Sequence, residues 1–238
     1  MKHPYIKKLS KIGKFTVWVV DGNYIRKNIE KEFTNCAQHR RFPAIPKWEL
    51  WLDKEYAPGE EQFYTDYLLA EKRYIEQGMG VKDAILKASR LERSERAKSA
   101  LGRLATTDRQ QASKKVYKKK LKIYSKGIDV WIVNGELVRD MYYLDFTEGG
   151  HDAVYDFVPD GEVWIDDDIG PRERKYIIFH EVYERLLMLK GKDYDKTRLN
   201  VKDAHYFASR LEYKGRHFPG YFKNKLREVL KNTAKLQK

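Results

Sequence analysis

VWVVDGNYIR, residues Val17–Arg26, returns 113 positions later as VWIVNGELVR, residues Val130–Arg139. The match extends outward at the same shift. Phe33-Thr34 falls on Phe146-Thr147, and Pro46, Glu49, Trp51 and Asp53 fall on Pro159, Glu162, Trp164 and Asp166. Pro58, Glu60, Glu71 and Gly78 fall on Pro171, Glu173, Glu184 and Gly191 without a gap. Beyond them VKDAILKASRLE (Val81–Glu92) falls on VKDAHYFASRLE (Val201–Glu212), with seven extra residues in the second copy. Self-similarity at one long period marks a repeated structural unit, so the chain holds two copies of one fold.

Each copy reads the same way. The apolar runs are joined by Asp-Gly or Asn-Gly, dipeptides that favour the type I′ turn and predict a β-hairpin. ELWLD and EVWID alternate and predict a third strand. Pro58 and Pro171 are placed to open a helix, where a missing N–H does no harm. In the second copy Ile177, Ile178, Val182, Leu186 and Leu189 follow a helical stripe, and Gly78 and Gly191 are natural helix stops. A further helix is expected near Val81–Arg96 and near Val201–Tyr213. The expected class is α+β, a tandem duplication of a ββ-β-α-α unit.

The 238 residues carry a net charge of +13, unevenly spread. Residues 1–14 hold +5, residues 99–127 hold +8 and residues 213–238 hold +7, which leaves the remainder at −7. That distribution predicts a basic arm at 1–14, a first lobe at 15–98, a basic linker at 99–127, a second lobe at 128–213 and a basic tail at 214–238. Such segments suit a salt-dependent contact with nucleic acid or another acidic surface, with Lys114, Lys115, Lys118, Lys119 and Lys120 as its centre. The plainer reading is solubility and a flexible hinge. The single cysteine, Cys36, excludes an internal disulfide and a cysteine zinc site and reads as an inert thiol. With no apolar h-region at the N-terminus and no apolar run of membrane-spanning length, the expectation is a cytoplasmic protein without membrane contact. Glycine-rich phosphate loops, serine nucleophile elbows and kinase signatures are missing from the sequence.

The duplication supplies an internal control. Residues present in both copies, such as Trp18/Trp131, Arg26/Arg139, Trp51/Trp164 and Asp53/Asp166, read as core and buried salt-bridge positions. His180, Glu181 and His205 stand opposite Tyr67, Leu68 and Ile85 and are therefore candidates for function. In FHEVYERLLMLKG (Phe179–Gly191) His180 and Glu184 are one helical turn apart and share a face. With His205 they supply two imidazoles and a carboxylate, the donor set of a catalytic divalent ion, most naturally Zn2+. Glu181 stands where a general base would take a proton from water attacking a carbonyl. Glu184, however, is matched by Glu71, which suggests a scaffold ion pair with Arg185 or with the shared Arg139 position. In that case Asp203 or Glu212 would complete the metal set, or the two histidines would form only a polar core contact. His151-Asp152 in GGHDAVY is a weaker candidate, because His39 occupies the first-half loop one position out of register.

Over about residues 15–215 the chain resembles a family of uncharacterised proteins of phages, prophages and other mobile elements, through VWVVDGNYIR, FPAIPKWELWLD and AILKASRLERSER. Its second half resembles the zincin-like pattern His-Glu-x-x-Glu…Gly…Ala-His…Ala-x-x-x-Glu, carried by His180, Glu181, Glu184, Gly191, Ala204, His205, Ala208 and Glu212. The resemblance implies a zincin-like second lobe, a degenerate first lobe, and a location in the host cytoplasm or the virion. The expected activity is metal-dependent hydrolysis of a peptide or amide bond, with a peptide or a phage protein as substrate. The alternative is a non-catalytic adaptor that binds nucleic acid or a phage assembly through the basic linker and tail.

Overall fold

The computed structural model describes residues 3–56, 59–99, 109–122, 127–143, 146–194 and 203–236, without the side chains of residues 82, 109–111 and 236. It is mixed α+β and divides into two compact units. One comprises Met1–Val116 with Glu136–Asp145, the other Tyr117–Gly135 with Phe146–Lys238.

The first unit is built on strands β1 (Tyr5–Ile12), β2 (Phe15–Val20), β3 (Cys36–Gln38) and β4 (Glu49–Asp53), in the order β1-β2-β4-β3. The central pair β2–β4 is parallel, with Trp18 opposite Trp51, and both edge strands are antiparallel. Its described helices are α1 (Gly22–Asn28), α2 (Glu60–Glu76), α3 (Val81–Arg96) and α4 (Arg109–Val116). The second sheet repeats this topology as β5-β6-β8-β7, with β5 (Tyr117–Lys120), β6 (Asp129–Val133), β7 (Gly149–His151) and β8 (Glu162–Asp166). Trp131 again faces Trp164. Helix α5 (Gly135–Met141) follows β6, and α6 (Pro171–Leu189), α7 (Ala204–His217) and α8 (Pro219–Leu236) complete the chain. The duplication is thus a duplication of fold. The expected helix opening at Pro58 lies outside the described residues; Pro171 does begin α6.

The Asp-Gly and Asn-Gly dipeptides do not make hairpins. Asp21 caps α1, its carboxylate accepting from Tyr24 N–H at 3.1 Å, and the chain leaves the sheet as a helix. Glycine follows for a steric reason. A Cβ on Gly22 would lie 1.8 Å from Asp53 Oδ2, and one on Gly135 would lie 2.1 Å from Asp166 Oδ2. Asp53 uses that proximity, accepting from Gly22 N–H at 3.1 Å and from buried Arg26 at 2.8 Å. The third strand of each copy is present, and it pairs with the first run in parallel.

Two of the basic segments are also part of the fold. Residues 5–12 form edge strand β1 and residues 117–120 form its counterpart β5, so neither is a free arm or linker. Tyr5 and Tyr117 anchor them identically, each donating its hydroxyl to the glutamate that opens the parallel strand, Glu49 at 2.8 Å and Glu162 at 3.0 Å. Lysines on an edge strand keep its outer face in water and discourage pairing with another chain. Of the expected tail, residues 214–217 end α7 and Pro219–Leu236 form α8, whose Val229 is buried.

The second core brings Val130, Ile132, Val163 and Ile165 of the sheet against Ile177, Ile178, Phe179, Val182 and Leu186 of α6, with Val229 of α8 closing it. Each such side chain contributes about 1.5–3 kcal/mol when fully buried. Leu189, at the end of the expected stripe, is exposed. Gly78 and Gly191 terminate α2 and α6 with left-handed φ of 87° and 85°. A buried ion-pair set recurs in both units. Arg96 binds Glu92 and Glu60 in the first, and Arg216 binds Glu212 and Glu173 in the second. Each set ties the first long helix of a unit to the second. Helix α5 belongs with the first unit, where Arg139 also pairs with Glu60.

Candidate metal centre

Helix α6 supplies His180, Glu181 and Glu184 from its middle turns, all buried. Helix α7 supplies His205 in its first turn and Glu212 two turns later. Asp203 fixes the start of α7 by accepting from Tyr206 N–H at 2.7 Å. Strand β7 supplies fully buried His151.

These side chains converge on one carboxylate. Glu184 Oε2 lies 2.8 Å from His205 Nδ1 and 3.3 Å from His180 Nε2, and the two nitrogens are 3.3 Å apart. Its other oxygen, Oε1, lies 3.1 Å from His151 Nε2. The expected ion pairs of Glu184 are therefore corrected. Arg185 binds Asp152 instead, at 2.5 and 2.7 Å, and Arg139 binds Glu60. Glu184 is surrounded by imidazoles.

The outer hydrogen bonds orient each ring. His180 Nδ1–H donates to Glu212 Oε2 at 2.8 Å, and its Nε2 faces Glu184 Oε2 and His205 Nδ1. Glu212 is held in turn by Arg216, at 3.0 Å from Nε and 2.5 Å from Nη2. His205 Nδ1 hydrogen-bonds Glu184 Oε2 at 2.8 Å, and its Nε2 lies 3.4 Å from Ser209 Oγ. His151 differs. Ala153 N–H donates to its Nδ1 at 3.2 Å, so Nε2 carries the proton and donates to Glu184 Oε1. His151, Glu181 and Glu184 also bring ligand-type atoms within 4.8 Å of one another, but this tautomer makes His151 a donor that orients Glu184. Carboxylate-to-histidine and histidine-to-carboxylate contacts of this kind set ligand orientation at metal sites.

The electrostatics follow from the same contacts. Burial would raise the Glu184 carboxyl, yet hydrogen bonds from His151, His180 and His205 hold it far below its ordinary range. Burial opposes a charged His180, but Glu184 and Glu212 raise it well above the ordinary imidazole value. Glu212 is drawn down to about 2, against its burial, chiefly by Arg216. Glu181 goes the other way and is pushed up to about 7, mainly by burial and further by Glu184, although His180 opposes the rise. Glu181 and Glu184, three residues apart on α6, are thus driven in opposite directions, the arrangement that separates a ligand from a proton acceptor. The site is reached at His205, whose side chain is 39% exposed.

Among the sequence candidates, His180, Glu184, His205 and Glu181 come together. Asp203 serves as a helix cap and Glu212 as the partner of His180. Asp152 binds Arg185 and Gly161 N–H, and His39 binds its own loop at Ile45 O, 2.6 Å away. Cys36 lies half-buried in β3, outside any disulfide. Lys114 and Lys115 are exposed at the end of α4. Lys118 pairs with Asp167 and Lys120 with Asp129, while Lys119 is exposed on β5. The sequence reading underrated His151, and the signal was the register. A shift of 113 puts Gln38 under His151, and Gln38 Nε2 donates to Glu71 Oε2 at 2.8 Å. The bond to the helix glutamate is common to both lobes; the imidazole is not. In the first lobe the site is filled with apolar groups, buried Leu68 packing against Val17, Leu50 and Leu52.

Compared with protein-family models, curated proteins and solved structures, the chain matches none. Among the described residues no helix is long and apolar enough to cross a membrane.

Proposed function

We propose that the second lobe binds one divalent ion of the zinc type through His180 Nε2, Glu184 Oε2 and His205 Nδ1, and hydrolyses a peptide or amide bond. The observation that carries this reading is the triangle of ligand atoms, with sides of 2.8, 3.3 and 3.3 Å. Donors about 2.05 Å from a tetrahedral ion are about 3.3 Å apart. Three protein donors leave a fourth position, and exposed His205 lies on the side open to solvent.

A bound ion would acidify a water molecule and polarise a carbonyl oxygen. The chain's own residues account for the rest. Glu212, backed by Arg216, holds His180 in the ligand tautomer. His151 fixes Glu184 so that Oε2 faces the two imidazoles. Glu181, with a proton affinity near neutrality, accepts the proton of the attacking water and returns it to the leaving nitrogen as the C–N bond breaks.

Mass spectrometry of a mixed peptide and acyl-amide pool tests the reaction. Zinc-dependent cleavage is expected, lost on chelation and lost in Glu181→Gln. A zinc-bound protein that cleaves nothing in the pool would overturn the hydrolase and leave a metal-bearing adaptor.

A further inference from the structure

The same internal control points to a second lobe-specific feature, in the first unit and independent of the metal reading. Strands β2 and β4 run parallel and enter the sheet side by side, Thr16 N–H donating to Trp48 O at 2.9 Å. This pairing brings together Lys14-Phe15, at the start of β2, and Lys47-Trp48, just before β4. Phe15 meets the Trp48 ring edge-on at 5.4 Å between centroids. The ammonium groups of Lys14 and Lys47 lie 5.4 Å from the Trp48 ring centre, and that of Lys72, from α2, lies 5.5 Å from it. Lys72 is also paired with Glu76 at 2.5 Å.

Trp48 is 40% exposed, so the core does not account for it. The second lobe, with the same sheet, has Gly127, Ile128, Asp160 and Gly161 where the first has Lys14, Phe15, Lys47 and Trp48. There Ile128 is buried in the core, and Arg185, the counterpart of Lys72, is engaged by Asp152. The fold therefore forms without an aromatic or a cationic cluster at this corner. An exposed indole ringed by ammonium groups combines a flat stacking surface with phosphate partners, the pairing by which proteins hold unpaired bases. A duplex keeps its base faces stacked and offers the indole nothing.

We infer that this corner of the first lobe binds single-stranded nucleic acid, Trp48 stacking on a base while Lys14, Lys47 and Lys72 meet the flanking phosphates. Fluorescence anisotropy of the full chain with a short labelled oligothymidylate tests it. Trp48→Ala is expected to weaken binding about tenfold or more, and Trp48→Phe to recover most of the loss. Replacing Lys14 and Lys47 by Gln should lower the slope of log affinity against log salt by about 0.7 per lysine. Circular dichroism should show the variants folded, since both lysines and the indole edge lie at the surface. Chelation should leave binding unchanged, which separates this site from the metal centre. No binding, binding indifferent to Trp48, equal affinity for duplex, or a Trp48-dependent preference for anionic vesicles would each overturn the inference.

Discussion

Replacing His151 by Leu and by Gln gives two different outcomes if His151 acts as an orienting donor. The imidazole is fully buried, donates to Glu184 Oε1 at 3.1 Å and accepts from Ala153 N–H at 3.2 Å. Leucine fills much of the space but leaves one oxygen of a buried carboxylate and one backbone N–H without a partner. Hydrogen bonds to charged groups are worth about 1.5–3 kcal/mol, and loss of an outer partner lowers metal affinity about 10- to 100-fold. His151→Leu should therefore lose about 2–3 kcal/mol of second-unit stability and at least about tenfold in zinc affinity. Glutamine is the residue the first lobe uses at this place, where Gln38 reaches Glu71 at 2.8 Å. His151→Gln should retain the bond, with less than about 1 kcal/mol lost and zinc affinity near that of the natural chain. Chelator competition measures the affinity, and urea unfolding followed through the second-unit aromatics measures the stability. Equal zinc binding by His151→Leu and the natural chain, or a Gln variant as impaired as the Leu variant, would refute the reasoning.

Other outcomes follow from the same geometry. Glu181→Gln removes the proton acceptor but no ligand, so it should abolish hydrolysis while zinc stays bound at unit stoichiometry, checked by turnover and metal analysis on one preparation. Asp140 is raised to about 6, chiefly by burial, with Arg96 Nη1 4.0 Å away opposing the shift. Because its folded value exceeds its unfolded value, its favourable contribution is complete below about pH 4 and is lost as pH rises through about 6. Asp140→Asn should thus gain about 1–2 kcal/mol over the natural chain at pH 7, after allowance for solvent screening, and little at pH 4. Urea midpoints across that range decide it, and a gap that does not change with pH would contradict it. Gly22→Ala would drive a methyl group into the Asp53 carboxylate, itself held by Arg26, and should cost about 1–3 kcal/mol in the same assay. Zinc affinity should fall as pH drops, because His180 must release a proton that Glu184 and Glu212 help it to hold; a flat pH profile would count against His180 as a ligand.

The repeat made most of the architecture legible. Two α+β units, the strand pair carrying Trp51 and Trp164, and helices ended by Gly78 and Gly191 were all readable from residues that recur at one spacing. The hairpins were misread because Asp-Gly has two physical explanations, a left-handed turn and a capped helix whose first residue abuts a carboxylate. Only the position of Asp53 beside Gly22 separates them. Strands β1 and β5 were hidden by their charge, since an edge strand with lysines on its outer face has the composition of a solvated arm. At the site, His180, Glu181 and His205 were visible because the first lobe has no equivalent. Glu184 looked like scaffold because Glu71 matches it. It is both a shared helix carboxylate bonded to the neighbouring strand and the centre of the histidine cluster. His151 was obscured by an adjacent, unrelated histidine in the other copy, although Gln38 marked the same bond.

The central claim is a single-ion site on His180, Glu184 and His205, and metal analysis of the full chain purified without a histidine tag tests it most directly. One zinc per chain is expected, falling close to zero in His180→Ala and in His205→Ala while both variants remain folded. A natural chain that takes up no stoichiometric metal and whose melting temperature is unmoved by added zinc, or variants that keep the ion, would contradict it.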